Sequence, residues 1–251
     1  MTILIISIVV IIAIIFIFWR RQVEIERAQE EFVSVITHKF RTPLTGVKWA
    51  IEMLRNNITE QQKQDILASM ENSNQRLMEI VDLMVGFAQF DKHLDYAYEA
   101  TSFREIVDSA LQKYGDQIRA KNVNFHINSA ASLPLVITDK RKIQFVIDML
   151  IDNAIKYTSA GGVITISFLQ NKKYLTLSIQ DTGIGISRAD GKHVFKKFYR
   201  SHNAKLAHTE GMGLGLYTAR SIVKKHHGHI WFNSKGVGKG STFYVALKIK
   251  N

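Results

Sequence analysis

His38 lies in the run Thr37-His38-Lys39-Phe40-Arg41-Thr42-Pro43-Leu44. Apolar residues around it recur at Ile36, Phe40, Leu44, Val47, Ile51 and Leu54, the period of one buried helix face. At about 100° per residue, His38 falls roughly 160° from both Ile36 and Phe40, on the outward side. Pro43 has no N–H for the carbonyl of Lys39, which predicts a bend beside the histidine. An exposed imidazole on a locally distorted helix is a nucleophile that a second domain can reach. Further along, Asp152-Asn153-Ala154-Ile155-Lys156-Tyr157 puts Asn153 and Lys156 on one helix face. They offer an amide oxygen for a divalent cation and an ammonium for phosphate. In Asp181-Thr182-Gly183-Ile184-Gly185 the glycines permit a sharp turn and close approach, and Asp181 can accept a hydrogen bond from an exocyclic amine. Phe195-Lys196-Lys197-Phe198-Tyr199-Arg200 is an aromatic pair followed by a cation. Gly211-Met212-Gly213-Leu214-Gly215-Leu216 opens a helix whose first amides can hold phosphates.

The elements that must carry these residues follow from pattern. Val23 to Arg55 reads as one long helix, Asn56-Asn57-Ile58 as a turn. Thr59 with Gln62 forms a capping box for a second helix running to about Phe90. Its seam is Ile66, Met70, Ser73, Leu77, Val81 (or Ile80), Met84 and Ala88. Two such helices cannot bury both seams alone. Either two chains pair into a four-helix bundle, or the hairpin packs on the C-terminal domain. Beyond residue 101 helices mix with alternating strands. Ser102 and Glu105 predict a cap on a helix to about Ala120, and the helix carrying Asn153 begins near Asp139. Ile164, Ile166 and Phe168, then Leu175, Leu177 and Ile179, predict a hairpin turning at Asn171-Lys172-Lys173.

The 251 residues carry a formal charge of +11 and no cysteine, which excludes disulfides, thiolate metal sites and cysteine nucleophiles. The charge calls for an acidic partner. There is no zinc-finger or basic-zipper pattern and the lysines are scattered, so no nucleic-acid partner is expected. From Ile3 to Trp19 every residue but Ser7 is apolar, followed by Arg20-Arg21. As a helix this run is about 26 Å long, at the short end of a bilayer span, and the positive-inside rule places its N-terminus outside. A membrane anchor is expected rather than a cleaved signal, since a basic start and a small-residue cleavage site are lacking. On that expectation only Met1 and Thr2 lie outside and no extracellular sensory domain is present.

The segment around His38 resembles the phospho-acceptor box of sensor histidine kinases. The four later motifs, in order and spacing, resemble the N, G1, F and G2 boxes of that family's ATP-binding domain, a member of the gyrase-type ATPase superfamily. Gly228-His229-Ile230 through Gly240-Ser241-Thr242-Phe243 resembles its closing strands. The resemblance covers nearly everything after the first twenty residues, and no P-loop sequence is present. It implies an α+β chain: a transmembrane anchor (1–21), a two-helix dimerisation and phosphotransfer hairpin (22–95) that forms a four-helix bundle in a homodimer, and an α/β-sandwich ATP-binding domain of the GHKL type (96–251). It implies ATP and Mg²⁺ as cofactors and His38 as the phosphoryl acceptor. Asn153 would ligand Mg²⁺, Lys156 contact phosphate and Asp181 read the adenine amino group. Tyr157, Gly183, Gly185, Gly211, Gly213, Gly215 and Leu216 complete the nucleotide contacts. Residues 201–210 would form a mobile lid. Arg200 reads either as a second γ-phosphate contact or as a salt-bridged structural arginine, Phe195 and Phe198 either as lid anchors or as core. Thr42 matches the family's phosphatase threonine, or shapes the helix beside Pro43. The implied partners are a response-regulator receiver domain, the lipid bilayer and a second copy of the chain. The implied setting is a bacterial inner membrane, single-pass, with the catalytic domains in the cytoplasm.

Two residues depart from the family pattern. Lys39 replaces the acidic neighbour of the histidine, a general base of the kind that is typically worth about 10²–10⁴ in rate. Met149 stands where a second asparagine is usual, and a thioether cannot ligand Mg²⁺. The expectation is a slower kinase. The alternative is an ATP-binding membrane scaffold with impaired phosphotransfer.

Overall fold

A computed structural model describes residues 2–56, 58–91, 96–130, 132–208 and 211–250; the side chains of most of residues 2–32 and 79–91 fall outside that description. The chain divides into two compact units, Met1–Asp82 and Leu83–Asn251.

In the first unit α1 (Thr2–Leu54) runs unbroken through Pro43, whose side chain is buried. The expected second helix, α2, spans Glu60–Asp91. Its start is a reciprocal box: the Thr59 N–H donates to Gln62 Oε1 at 2.9 Å, and the Gln62 N–H to Thr59 Oγ1 at 3.3 Å. Ile36, Ala50, Ile66, Ser73 and Ile80 are buried along the seam, so Ile80 and not Val81 occupies the inward position. A Cβ on Gly46 would lie 3.2 Å from Ser73 Oγ, a close approach between the helices. Two seam residues of α1 remain open in the single chain: Leu44 is 53% exposed and Ile51 43%. Among the described residues no helix is long and apolar enough to cross a membrane. The run from Ile3 to Trp19, on which that expectation falls, lies mostly among the undescribed side chains.

The second unit is an α/β sandwich. In chain order it contains β1 (Glu99–Thr101), α3 (Phe103–Lys113), α4 (Gly115–Ala120), β2 (Asn124–Asn128), β3 (Val136–Thr138) and α5 (Lys140–Tyr157). Then come β4 (Val163–Gln170), β5 (Tyr174–Asp181), α6 (Arg188–Gly191), α7 (His202–Ala207), α8 (Gly215–Lys225), β6 (His229–Asn233) and β7 (Ser241–Lys248). The main sheet has the order β2-β4-β5-β7-β6, parallel between β2 and β4 and antiparallel elsewhere, while β1 and β3 form a separate antiparallel pair.

Ser102 caps α3 as expected, accepting from the Glu105 N–H at 3.2 Å. The helix expected to continue to Ala120 stops at Lys113 and restarts at Gly115, with Tyr114 at φ −96°, ψ 7° between the two. The β4–β5 hairpin pairs Ile166 with Ile179 and Phe168 with Leu177, and Asn171 Oδ1 closes its turn by accepting from the N–H groups of Lys173 and Tyr174, both at 2.8 Å. Helices α3, α5 and α8 cover one sheet face. Phe103, Ile106, Ile147, Ile151, Leu177 and Ile179 are fully or almost fully buried between the layers. Packing on that core brings the end of α5, the end of β5 and the start of α8 to one place.

Candidate functional site

A cleft opens where those three ends meet. The last turns of α5 present Met149, Asn153, Lys156 and Tyr157 to it. Asp181 and Gly185 line it from β5 and its loop, and Gly211, Gly213, Gly215 and Leu216 from the run that opens α8. Arg200 completes the wall. Every nucleotide residue read from the sequence is therefore brought together except Gly183, which sits just behind: a Cβ there would overlap the Tyr157 carbonyl. The Ile184 N–H donates to that same carbonyl at 3.1 Å, locking the loop after β5 onto the end of α5. His38 and Thr42 belong to α1 in the other unit. Both are exposed, and their spacing of four puts them on one helix face.

Asp181 is 6% exposed. Its Oδ1 accepts from the N–H of Gly183 at 2.8 Å and of Ser241 at 3.3 Å, and its Oδ2 accepts from Ser241 Oγ at 2.6 Å. Burial pushes this carboxyl above the usual carboxylate range, against the lowering effect of those three hydrogen bonds. Ser241 is a site residue that the motifs did not reveal. It lies far along the chain and reaches Asp181 only because β7 pairs with β5 in the register Asp181↔Ser241.

Asn153 donates its side-chain N–H to Met149 Sδ at 3.0 Å. That engagement turns the amide so that Oδ1 is left to accept or ligate. Met149 also fills the space beside Gly215, where a Cβ would lie 2.9 Å from Met149 Cγ. The thioether thus packs two parts of the cleft together while supplying no hard ligand. Lys156 Nζ is held 2.7 Å from Asp152 Oδ2, one turn back on α5. Among the described residues no group of three histidine or carboxylate side chains could hold a metal ion.

The described partners of Arg200 are backbone carbonyls within and just after α7. Its guanidinium donates to the carbonyls of Ala204 at 2.9 Å, Gly211 at 3.2 Å and His208, tying α7 and the stretch after it to the cleft wall. Tyr199 beside it donates to Asp190, which also accepts from Ser187 Oγ at 2.6 Å. The tyrosine is pushed up to about 12, chiefly by the hydrogen bond to Asp190. Phe195 packs partly buried against the core and Phe198 adopts φ 60°, its carbonyl carbon 2.6 Å from where a Cβ on Gly213 would stand. Thr209 and Glu210, within the expected lid, lie outside the described residues.

Residues 28–92 match the His Kinase A (phospho-acceptor) domain, and residues 138–251 the histidine kinase-, DNA gyrase B-, and HSP90-like ATPase. Over 236 residues the chain is 31% identical to the sensor histidine kinase WalK of Bacillus subtilis (strain 168), covering 91% of this chain and 38% of that one. The chain belongs to the sensor histidine kinases of two-component systems. Among solved members of the family, the Acinetobacter baumannii histidine kinase AdeS superposes with a TM-score of 0.66 at 25% identity, over 85% of this chain and 98% of that one. The fold is also that of histidine kinase ThkA in its complex with the response regulator TrrA, with a TM-score of 0.70 at 19% identity, over 88% and 61% of the two chains. The chain spans 36–45% of the length of three curated relatives that it matches.

Proposed function

We propose that this sensor histidine kinase binds Mg-ATP in the cleft of its second unit and transfers the γ-phosphoryl group to His38. The observation that carries the reading is the convergence of Asn153, Lys156, Asp181 and the Gly211–Gly215 run, read from separate motifs, on one cleft. In it Asp181, with both oxygens already oriented by Gly183 and Ser241, accepts from the adenine amino group. Asn153 Oδ1 and the nucleotide's own phosphates hold Mg²⁺, which neutralises phosphate charge. Lys156 and the first amides of α8 complete the phosphate contacts. A ring nitrogen of His38 then forms a bond to phosphorus as the bond to the β,γ-bridging oxygen breaks, and ADP leaves; catalysis is positioning and charge compensation. The phosphoryl group passes on to a carboxylate of a receiver domain. Lys39 cannot take the imidazole proton while protonated, so the transfer is slow but present. The scaffold reading draws no support from WalK and AdeS, which are histidine kinases by name.

We extend the proposal to the assembly. The open seam residues Leu44 and Ile51 are covered by a second copy in a four-helix bundle, and Ile3–Trp19 anchors the chain in a bacterial inner membrane with Arg20-Arg21 on the cytoplasmic side. Alkaline washing of membranes that carry the full chain tests the anchor: retention supports it, release refutes it. The transfer is tested by incubating the full chain with γ-labelled Mg-ATP. Acid-labile, alkali-stable label on the parent, its loss in His38→Gln, and a gain of about tenfold or more in Lys39→Glu are expected. Binding of ATP with no label on either parent or Lys39→Glu would sink the kinase reading.

A further inference from the structure

Between β6 and β7 the chain makes one turn, Ser234-Lys235-Gly236-Val237-Gly238-Lys239-Gly240. Four residues of this turn meet four consecutive residues after Asp181, one to one. The Gly240 N–H donates to the Gly183 carbonyl at 3.1 Å, and the Gly238 N–H to the Ile184 carbonyl at 2.6 Å. Gly236 lies so close to Gly185 that a Cβ on Gly185 would overlap the Gly236 carbonyl oxygen. Ser234 Oγ accepts from the Ile186 N–H at 3.0 Å. The same hydroxyl fixes the turn itself, donating to the Gly240 carbonyl at 2.7 Å and accepting from the Gly236 N–H at 3.3 Å. Ser234 therefore joins both ends of the turn to the far end of the stretch it braces.

That stretch is a wall of the cleft on the Asp181 side. Ile184, Gly185 and Ile186 line the cleft, and the Gly183 N–H is one of the donors that orient Asp181 Oδ1. The other donors come from Ser241, the residue that follows the turn. Every described hydrogen bond that aims Asp181 is thus anchored in the turn, one through the Gly240–Gly183 pairing and the rest through chain continuity from Gly240 to Ser241. No residue of 234–240 lines the cleft, so the turn acts on a ligand only through the wall. An acceptor built to pair with a ligand N–H rejects an analogue lacking it, to the extent that the acceptor is held in place. We propose that Ser234 is a positioning residue for adenine selectivity: its hydroxyl locks the β6–β7 turn onto the wall after Asp181 and so fixes the direction in which that carboxylate meets the adenine amine. This rests on the assignment of the cleft to ATP and of Asp181 to the amine.

The test measures binding of ATP and of purine riboside triphosphate, the same ligand without the amine, to the full chain and its variants, with thermal melting alongside. The readout is the ratio of the two affinities, which a merely structural serine would leave unchanged. Ser234→Ala is expected to lower the preference for ATP by about threefold or more, the size of one misaligned hydrogen bond. Ser234→Thr keeps the hydroxyl and is expected to hold the ratio within about twofold of the parent. Should Ser234→Ala fail to fold, Gly236→Ala decides. Gly236 has φ 121° and open space where the added carbon would stand, so the substitution strains the turn without entering the cleft and lowers the ratio in the same sense. An unchanged ratio in Ser234→Ala overturns the proposal even if both nucleotides weaken and the melting temperature falls. So does a threonine variant as unselective as the alanine one. A parent that binds both nucleotides equally overturns the assignment of Asp181 to the amine, and one that binds neither overturns the assignment of the cleft; both are different results.

Discussion

At the scale of single residues the site depends on groups that are already hydrogen-bonded before any ligand arrives. Asp181 is the clearest case, a buried carboxylate oriented by Gly183 and Ser241. Its pKa is raised by burial, so the folded state holds its proton more tightly than the unfolded chain. It therefore favours folding most at low pH, and that contribution is lost as pH rises through the folded pKa. Asp181→Asn should remove this fall in stability on going from acid to neutral pH, and should weaken ATP by more than about tenfold by presenting an N–H to the adenine amine. Chemical melts in acid and at neutrality, with a binding isotherm at neutrality, check both. His226 works in the opposite sense. Its Nε2 accepts from the Asp139 N–H at 3.0 Å, and burial holds its pKa below 6.5 against the raising effects of the Ile222 carbonyl and Asp139. Stability from this group is present above the unfolded value and is lost as pH falls through the folded one. His226→Gln should flatten the pH dependence below about pH 6.5. Much at this scale was legible in the sequence. Asn153, Lys156, Asp181 and the glycines announce themselves by motif. Ser241 does not, since it acts through strand register, which no local pattern encodes.

At the scale of elements, legibility follows how local the signal is. Thr59 with Gln62 and Ser102 with Glu105 predict helix starts that the hydrogen bonds reproduce, and period-two alternation predicts the β4–β5 hairpin that pairs Ile166 with Ile179. A single glycine within a helical pattern is ambiguous, so the pattern does not reveal the interruption at Tyr114–Gly115. Nor does it separate Ile80 from Val81, since both are apolar. Arg200 makes its described bonds to backbone carbonyls within α7 and just after it, partners that no local pattern names. Arg200→Ala should loosen that segment, seen as faster proteolytic cleavage within residues 201–211, with the sheet and α5 as protected from hydrogen exchange as before. Gly213→Ala, at φ 68° and against Phe198, should cost about 1–3 kcal/mol in a thermal melt.

At the scale of the whole molecule, the account joins an ATP cleft to a phosphoryl acceptor in a second unit and requires a partner chain. Leu44 and Ile51, open in the single chain, should be buried in the pair, so Leu44→Lys is expected to shift sedimentation from dimer to monomer without loss of ATP binding. The charge of +11 and the apolar N-terminal run were plain from composition, whereas the helical seams pointed to two packing solutions between which only an assembly measurement decides. The central claim is that His38 receives the phosphoryl group. It is tested most directly by fragmenting the full chain after incubation with Mg-ATP, under neutral to alkaline conditions that preserve phosphohistidine, and locating the modified residue by mass spectrometry. The account predicts a phosphoryl group on His38 that acid removes. Modification found at another residue with His38 unmodified, or none in a chain that demonstrably binds ATP, would contradict it.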